Sequence, residues 1–125
     1  MENVKFYKCP ICGNIVGLIE GDGKRLSCCG KPMEELSANT VDAAVEKHVP
    51  VYEVVGDEMK VRVGEVLHPM DENHYIMWIA LVEGNKTTRV SFKPGDVPET
   101  TFPYVKGASI YAYCNLHGLW KSEVK

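Results

Sequence analysis

Five cysteines and four histidines are the residues of this 125-residue chain best suited to holding a transition metal. They form two groups along the sequence. Four cysteines precede residue 30, whereas the fifth cysteine and every histidine lie at or beyond residue 48. Because an odd number of cysteines cannot all pair as disulfides within one chain, metal binding is the leading interpretation of both groups.

The first group has the spacing of a four-thiolate site. Cys9 and Cys12 are separated by two residues, so both can bind one ion from the same turn, and Gly13 tolerates the positive φ that such a turn requires. The adjacent Cys28 and Cys29 point apart and spread the tetrahedron. A structural zinc ribbon is the alternative to iron, but a ribbon favours a second Cys-x-x-Cys, so the vicinal pair favours iron.

The second group offers four imidazoles and one thiolate, from His48, His68, His74, Cys114 and His117. Five donors exceed the tetrahedral set that zinc usually takes. A blue-copper site is a rival, yet such sites use two histidines and a weak axial methionine after the Cys/His loop, and no methionine follows His117.

Iron held by these five donors would keep a sixth coordination position open for a small oxygen species. A thiolate donating electron density from the opposite side would favour oxidation of Fe(II) and weaken a bond to peroxide. This arrangement indicates an enzyme. The alternatives are an electron carrier, which favours saturated ligands, and a zinc-binding scaffold without catalysis.

Short apolar runs separated by turn residues predict an antiparallel β-sandwich from Val49 onward. One hairpin joins residues 51–55 to 59–63, and a second joins 75–82 to 87–92. Residues 93–103 are predicted to be a turn-rich connection, with later strands at 109–113 and 119–124. A turn or two of helix is expected at 41–45, with Thr40 as its N-cap.

Strand ends converge at one pole of a sandwich, and each histidine is expected at a strand end or in a turn. The predicted elements would therefore bring the second group of ligands together, although up to 69 positions of sequence separate them. Confirmation requires all five side chains to lie near one point.

Composition limits the partners. The net charge is −3, and no basic stripe interleaved with aromatic residues is present, which argues against nucleic acid as a partner. No apolar run has membrane-spanning length, and the first residues lack the features of a signal peptide, so we expect a cytoplasmic protein without a membrane partner.

Several motifs resemble the desulfoferrodoxins, the two-iron superoxide reductases, over essentially the whole chain. The N-terminal motif runs from Tyr7 through the Cys28–Cys29–Gly30 pair. The later motifs are Glu46-Lys47-His48-Val49-Pro50-Val51, His68-Pro69-Met70, His74-Tyr75-Ile76, Lys93-Pro94-Gly95 and the segment from Tyr113 to Trp120.

The resemblance implies a mainly β chain with two iron-binding domains. Residues 1–36 would form a rubredoxin- or desulforedoxin-like domain with a four-cysteine iron, residues 37–48 a connector, and residues 49–125 an immunoglobulin-like sandwich whose iron has four histidine ligands and one cysteine. The implied reaction reduces superoxide to hydrogen peroxide, with rubredoxin or a similar donor supplying the electron. The family also implies a homodimer.

Two residues beside the ligands have roles that the resemblance supports. Residues 1–36 carry equal numbers of acidic and basic side chains, so the net negative charge lies on the predicted catalytic domain, which would repel an anion. Lys47, next to His48, is expected to attract superoxide. Glu46 is similar to the family glutamate that can occupy the vacant ferric position and help peroxide to leave.

Overall fold

The computed structural model describes residues 4–41 and 43–125. Within it the chain divides into two compact units, the first ending at Ser37 and the second beginning at Ala38. No helix in the described residues is long and apolar enough to cross a membrane.

Residues 4–37, the described part of the smaller unit, form five short strands: β1 (Lys5–Lys8), β2 (Ile15–Leu18), β3 (Ser27–Cys28), β4 (Lys31–Pro32) and β5 (Glu34–Glu35). Strand β1 lies between β2 and β5 in one antiparallel sheet, and β3 pairs with β4. Its buried apolar residues among those described are Phe6, Tyr7 and Cys9. Such a small core cannot stabilise a fold of this size without a further cross-link.

The described residues of the larger unit form one short helix and seven strands. They are α1 (Val45–His48), β6 (Pro50–Val55), β7 (Glu58–Val63), β8 (Ile76–Glu83), β9 (Lys86–Ser91), β10 (Glu99–Pro103), β11 (Ser109–Cys114) and β12 (Gly118–Glu123). One sheet has the order β10-β7-β6 and the other β12-β11-β8-β9, with all pairs antiparallel. This confirms the predicted mainly β class with a sandwich.

The core lies between the two sheets. In β7 the side chains alternate, with Met59, Val61 and Val63 buried and the residues between them exposed. In β8 the residues are buried on both faces along most of the strand. Both patterns follow from the sequence, since a half-buried strand alternates and a central strand does not. The two predicted hairpins are confirmed.

Two predictions about elements were wrong. The helix begins at Val45 rather than Val41, and its N-cap is Ala44, which makes no side-chain capping bond, so Thr40 does not cap it. Asp42, within the predicted helix, lies outside the described residues. The turn-rich connection ends in strand β10, which pairs with β7 along its whole length. Proline at Pro98 and Pro103 hid this strand, but an edge strand tolerates a missing N–H donor.

The pairing of β8 with β11 shifts register at the end of the sandwich where the predicted metal ligand Cys114 lies. Tyr113 pairs with Trp78, whereas the next residue, Cys114, pairs with Ile76, so Met77 is bulged out. A bulge re-aims the side chains that follow it. Cys114 is therefore placed by an irregularity that no local sequence signal predicts.

Candidate metal centres

Four cysteines of the smaller unit, Cys9, Cys12, Cys28 and Cys29, form what we call the thiol cluster. Their sulfur atoms all lie within 4.8 Å of one another, and none forms a disulfide. The Sγ atoms of Cys12 and Cys28 are 3.5 Å apart, and those of Cys28 and Cys29 are 3.9 Å apart. The turn that contains Cys9 and Cys12 and the adjacent pair Cys28 and Cys29 thus lie together, as the sequence predicted.

The backbone of the turn from Cys9 to Cys12 favours a thiolate at Cys9. The Cys9 N–H donates to the Asn14 carbonyl at 2.8 Å, which closes the loop, and Ile11 and Cys12 direct their N–H groups at Cys9 Sγ from 3.4 and 3.5 Å. The Cys12 N–H is the largest cause that lowers the pKa of Cys9 to about 6, and burial opposes it. Hydrogen bonds to the charged form produce this direction.

At Cys28 and Cys29 the close approach of the other thiols raises the pKa instead of lowering it. Contact with the Cys12 thiol, followed by contacts with Cys28 and Cys9, raises the pKa of Cys29 to about 12. The pKa of Cys28 is also raised, chiefly by Cys12. Four thiolates so close together repel one another unless a cation neutralises them, and a metal ion supplies that cation.

In the larger unit, His48, His68, His74, Cys114 and His117 gather at one end of the sandwich, and we call them the histidine cluster. His48 ends α1 just before β6, His74 lies two residues before β8, Cys114 ends β11, and His117 precedes β12. His68 lies in the loop between β7 and β8. Possible ligand atoms of His48, His68, His74 and Cys114 all lie within 4.8 Å of one another.

His117 is not in that four-residue set, but it adjoins it. Its Nδ1 lies 3.1 Å from His48 Nε2 and 3.9 Å from Cys114 Sγ. Its ring centre is 4.8 Å from that of His48 and 5.0 Å from that of His74. The structure therefore brings together all five residues that the sequence singled out, with His117 at the margin of the cluster.

Carbonyl groups outside the cluster orient two of the rings. His48 Nδ1 lies 2.7 Å from the Ala44 carbonyl, and His68 Nδ1 lies 2.6 Å from the Pro69 carbonyl. A carbonyl only accepts, so each Nδ1 carries the proton and each Nε2 keeps a lone pair that could bind a metal. This is the usual outer support of a metal-bound histidine.

Nitrogens of His48, His68 and His74 lie close together in buried surroundings. Among the described residues, His68 Nε2 and His74 Nε2 are buried without a hydrogen-bond partner. Burial is the main cause that lowers the pKa of His48 and His74 and brings the pKa of His68 to about 4. The rings are consequently neutral at neutral pH, which is the state that binds a metal.

Cys114 contributes the sulfur. Its side chain is fully buried, and burial raises the pKa of its thiol, against which the backbone N–H groups of His117 and Leu116 act. A buried thiol of this kind ionises when a metal replaces its proton. Unpartnered buried nitrogens, carbonyl-fixed tautomers and a buried thiol together fit a metal ion of intermediate softness, and iron is one such ion.

Trp120 supports the cluster in a way that the sequence did not predict. Its ring stacks on His48 at 5.0 Å with an interplanar angle of 25°, and its Nε1–H donates to the His117 carbonyl at 3.1 Å. One buried side chain therefore contacts two cluster residues that are 69 positions apart in sequence. The sequence alone does not distinguish this supporting role from that of an ordinary buried core tryptophan.

The two predicted non-ligand residues, Glu46 and Lys47, lie in α1 and are exposed. Their charges nevertheless reach the cluster. Lys47 contributes to the lowered pKa of His74, whereas Glu46 acts in the direction that raises the pKa of His48. The cation and the anion thus lie on the segment that ends in His48.

Comparison with known proteins identifies the family. A family profile described as desulfoferrodoxin matches residues 40–123, and one described as the desulfoferrodoxin N-terminal domain matches residues 1–36. The chain belongs to the desulfoferrodoxin family. This confirms the resemblance found in the sequence, and the thiol and histidine clusters match the two iron centres expected of a desulfoferrodoxin.

Individual desulfoferrodoxins and solved structures agree with that assignment. The desulfoferrodoxin of Syntrophotalea carbinolica is 53% identical, with 98% of each chain covered. The crystal structure of the superoxide reductase from Treponema pallidum is 33% identical and superposes with a TM-score of 0.76, covering 97% of this chain and 99% of that one. A superoxide reductase from Giardia intestinalis is 37% identical with a TM-score of 0.53, covering 62% of this chain and 95% of its own.

Proposed function

We propose that this desulfoferrodoxin is a superoxide reductase, which converts superoxide, one electron and two protons to hydrogen peroxide without producing dioxygen. The observation that carries the proposal is the histidine cluster, where four imidazoles and one thiol converge and where two buried imidazole nitrogens have no hydrogen-bond partner among the described residues. One solved structure that covers 97% of this chain bears the name superoxide reductase. The Giardia reductase matches more of this chain than the smaller unit contains, which favours the larger unit as the site of reaction.

The proposed ligands of the catalytic iron are His48, His68, His74, His117 and Cys114. When bound there, iron supplies the single electron that the reaction requires. The Ala44 and Pro69 carbonyls hold two of the rings in the binding tautomer, and the apolar surroundings keep them neutral. Five protein donors would leave a further coordination position on the metal for a substrate atom.

Lys47 and Glu46 are proposed to act on the substrate and the product. The net charge of −3 repels an anion, and an exposed cation next to His48 offsets this repulsion where superoxide must arrive. The carboxylate of Glu46 is proposed to take the position that the product vacates. Both groups are on α1, so a small movement of that helix would affect arrival and release together.

The remaining parts of the proposal concern the rest of the chain. Residues 1–36 form the electron-transfer domain with the four-cysteine iron, residues 37–48 are the connector, and residues 49–125 are the catalytic domain with His48 at its start. The electron comes from rubredoxin or a similar donor. We further propose that the protein acts in the cytoplasm, as a homodimer, in superoxide detoxification.

A product analysis tests the reaction. Fully reduced, iron-loaded protein is exposed to a known amount of superoxide, and peroxide and dioxygen are measured. The expected result is one peroxide for each superoxide consumed, with no dioxygen from that step. Dioxygen at half the superoxide consumed would identify a dismutase instead. Oxidation of neither iron would leave only an electron carrier or a metal-binding scaffold.

A further inference from the structure

Asn115 connects the two loops that carry His74 and Cys114. Its side-chain Oδ1 accepts the Tyr75 N–H at 2.9 Å, and its Nδ2 donates to the Asn73 carbonyl at 3.1 Å. The Asn115 main-chain N–H also donates to the Tyr75 carbonyl at 3.2 Å. Three hydrogen bonds from one residue therefore hold the backbone on both sides of His74.

The loop that carries His74 needs such support. It is a four-residue turn in which Asp71 and His74 exchange hydrogen bonds of 2.9 and 3.1 Å, and its other residues are exposed. The rings of His48 and His68 are each held by a carbonyl, but the position of His74 is fixed through the main chain beside it. Asn115 is the residue that ties this main chain to the sandwich.

Asn115 is also a neighbour in sequence of two residues of the histidine cluster. Asn115 directly follows Cys114 and precedes His117 by two positions, so it lies inside the loop that presents both. Its side-chain amide joins that loop to the main chain on both sides of His74. Both side-chain bonds satisfy main-chain groups that would otherwise lose a partner, which makes the connection costly to break.

We infer that Asn115 is a positioning residue that sets the separation between His74 and the Cys114–His117 loop, and thereby the affinity of the histidine cluster for iron. This inference rests on the proposed function only in taking the cluster as an iron site. Partners of this kind around a metal change affinity or activity by about 10–100-fold when they are removed.

The chain supplies a matched control in Asn39. Its Nδ2 donates to the Lys121 carbonyl at 3.1 Å and its Oδ1 accepts the Lys121 N–H at 2.8 Å, which is the same pair of amide-to-backbone bonds in the same unit. Neither Asn39 nor Lys121 belongs to the histidine cluster. Because Asn39 has a φ of 60°, alanine there also introduces backbone strain, so the control is no milder than the test.

The experiment incubates the reduced full chain with a competing chelator, then oxidises the protein and measures the iron retained at each site. Ferric centres with four thiolates and with one thiolate absorb at different visible wavelengths, so the two sites can be followed separately. In Asn115→Ala the affinity of the histidine cluster should fall about 10–100-fold, while the thiol cluster is unchanged. Asn115→Asp keeps the acceptor for Tyr75 but loses the donor to Asn73, and it should lie between the wild type and Asn115→Ala.

Two results would overturn the inference. One is an affinity in both Asn115 variants equal to that of the wild type, and the other is an equal loss in Asn39→Ala. If Asn115→Ala does not fold, Asn115→Asp decides the question. Failure of the wild type itself to hold iron at the histidine cluster would instead reject the proposed function, so the two failures can be told apart.

Discussion

At the scale of single residues, Lys47 provides a positive charge on a unit whose net charge is negative. Its side chain is exposed, and its charge acts on His74 in the histidine cluster. An exposed charge contributes little to stability but can raise the rate at which an oppositely charged ligand arrives. Its effect should consequently depend on salt.

Lys47→Ala should slow the reaction with superoxide about tenfold at low ionic strength and flatten its dependence on salt. The measurement is the second-order rate constant over a range of salt concentrations. Lys86→Ala is the control, because it removes the same charge from the β8–β9 hairpin, where Lys86 pairs with Glu83 at 3.8 Å. An unchanged rate for Lys47→Ala at low salt would remove the steering role.

The residue types in the sequence predicted the candidate metal ligands better than they predicted the residues that support those ligands. Cysteine and histidine are few, so their grouping was visible in the sequence, and the structure brings both groups together. Asn115 and Trp120 were not predicted to support the cluster. Their importance comes from hydrogen bonds and stacking across long sequence separations, and asparagine and tryptophan have many other uses in a sandwich.

At the scale of elements, Gly64 holds the loop after β7 against α1. It has a φ of 82°, and a Cβ at this position would lie 2.5 Å from the Val66 carbonyl oxygen, 2.7 Å from that of Lys47 and 2.8 Å from that of Glu46. The Gly64 N–H donates to the Val49 carbonyl at 3.1 Å. Only glycine permits this approach, which places the segment containing Glu46, Lys47 and His48.

Gly64→Ala should lower both the free energy of unfolding and the retention of iron by the histidine cluster. The positive φ alone costs about 1–3 kcal/mol for a non-glycine residue, and the contacts with carbonyl oxygens add to it by displacing α1. Denaturant unfolding and iron content measure the two effects. Gly84→Ala is the control, since Gly84 has a φ of 59° with no neighbouring atom within 4 Å. Equal losses in both variants would contradict the positioning of α1 by Gly64.

Elements with strong patterns were predictable, and irregular ones were not. The hairpins β6–β7 and β8–β9 follow from alternation and turn residues. Strand β10 was missed because prolines at its borders indicate a turn. Its pairing with β7 depends on contacts between distant parts of the sequence, which no local pattern shows. Helix α1 was placed too early because its position depends on the contact with Gly64, which lies 16 residues beyond its last residue.

At the scale of the whole molecule, the two units have different sources of stability. The larger unit has a core shared by both sheets, including Met59, Ile79 and Ile110, all without exposed surface. The smaller unit has a small core and four cysteines that, as thiolates, repel one another unless a cation lies between them. Metal binding therefore contributes folding free energy mainly to the smaller unit.

Removal of both metals should unfold the smaller unit and leave the sandwich folded. Amide hydrogen exchange measured by residue should show protection lost in β1 and β2, while protection persists in β7, β8 and β11. Reloading with iron should restore the protection. Continued protection of β1 and β2 in metal-free protein would show that the smaller unit does not need its metal to fold.

The central claim is that His48, His68, His74, His117 and Cys114 hold the iron that reduces superoxide. Iron content and superoxide reduction of His68→Ala test it most directly, because His68 is buried and its Nε2 has no partner among the described residues. The account predicts a fall from two irons per chain to one, an unchanged four-thiolate spectrum and loss of superoxide reduction. A variant that keeps both irons, or reduces superoxide at the wild-type rate, would contradict it.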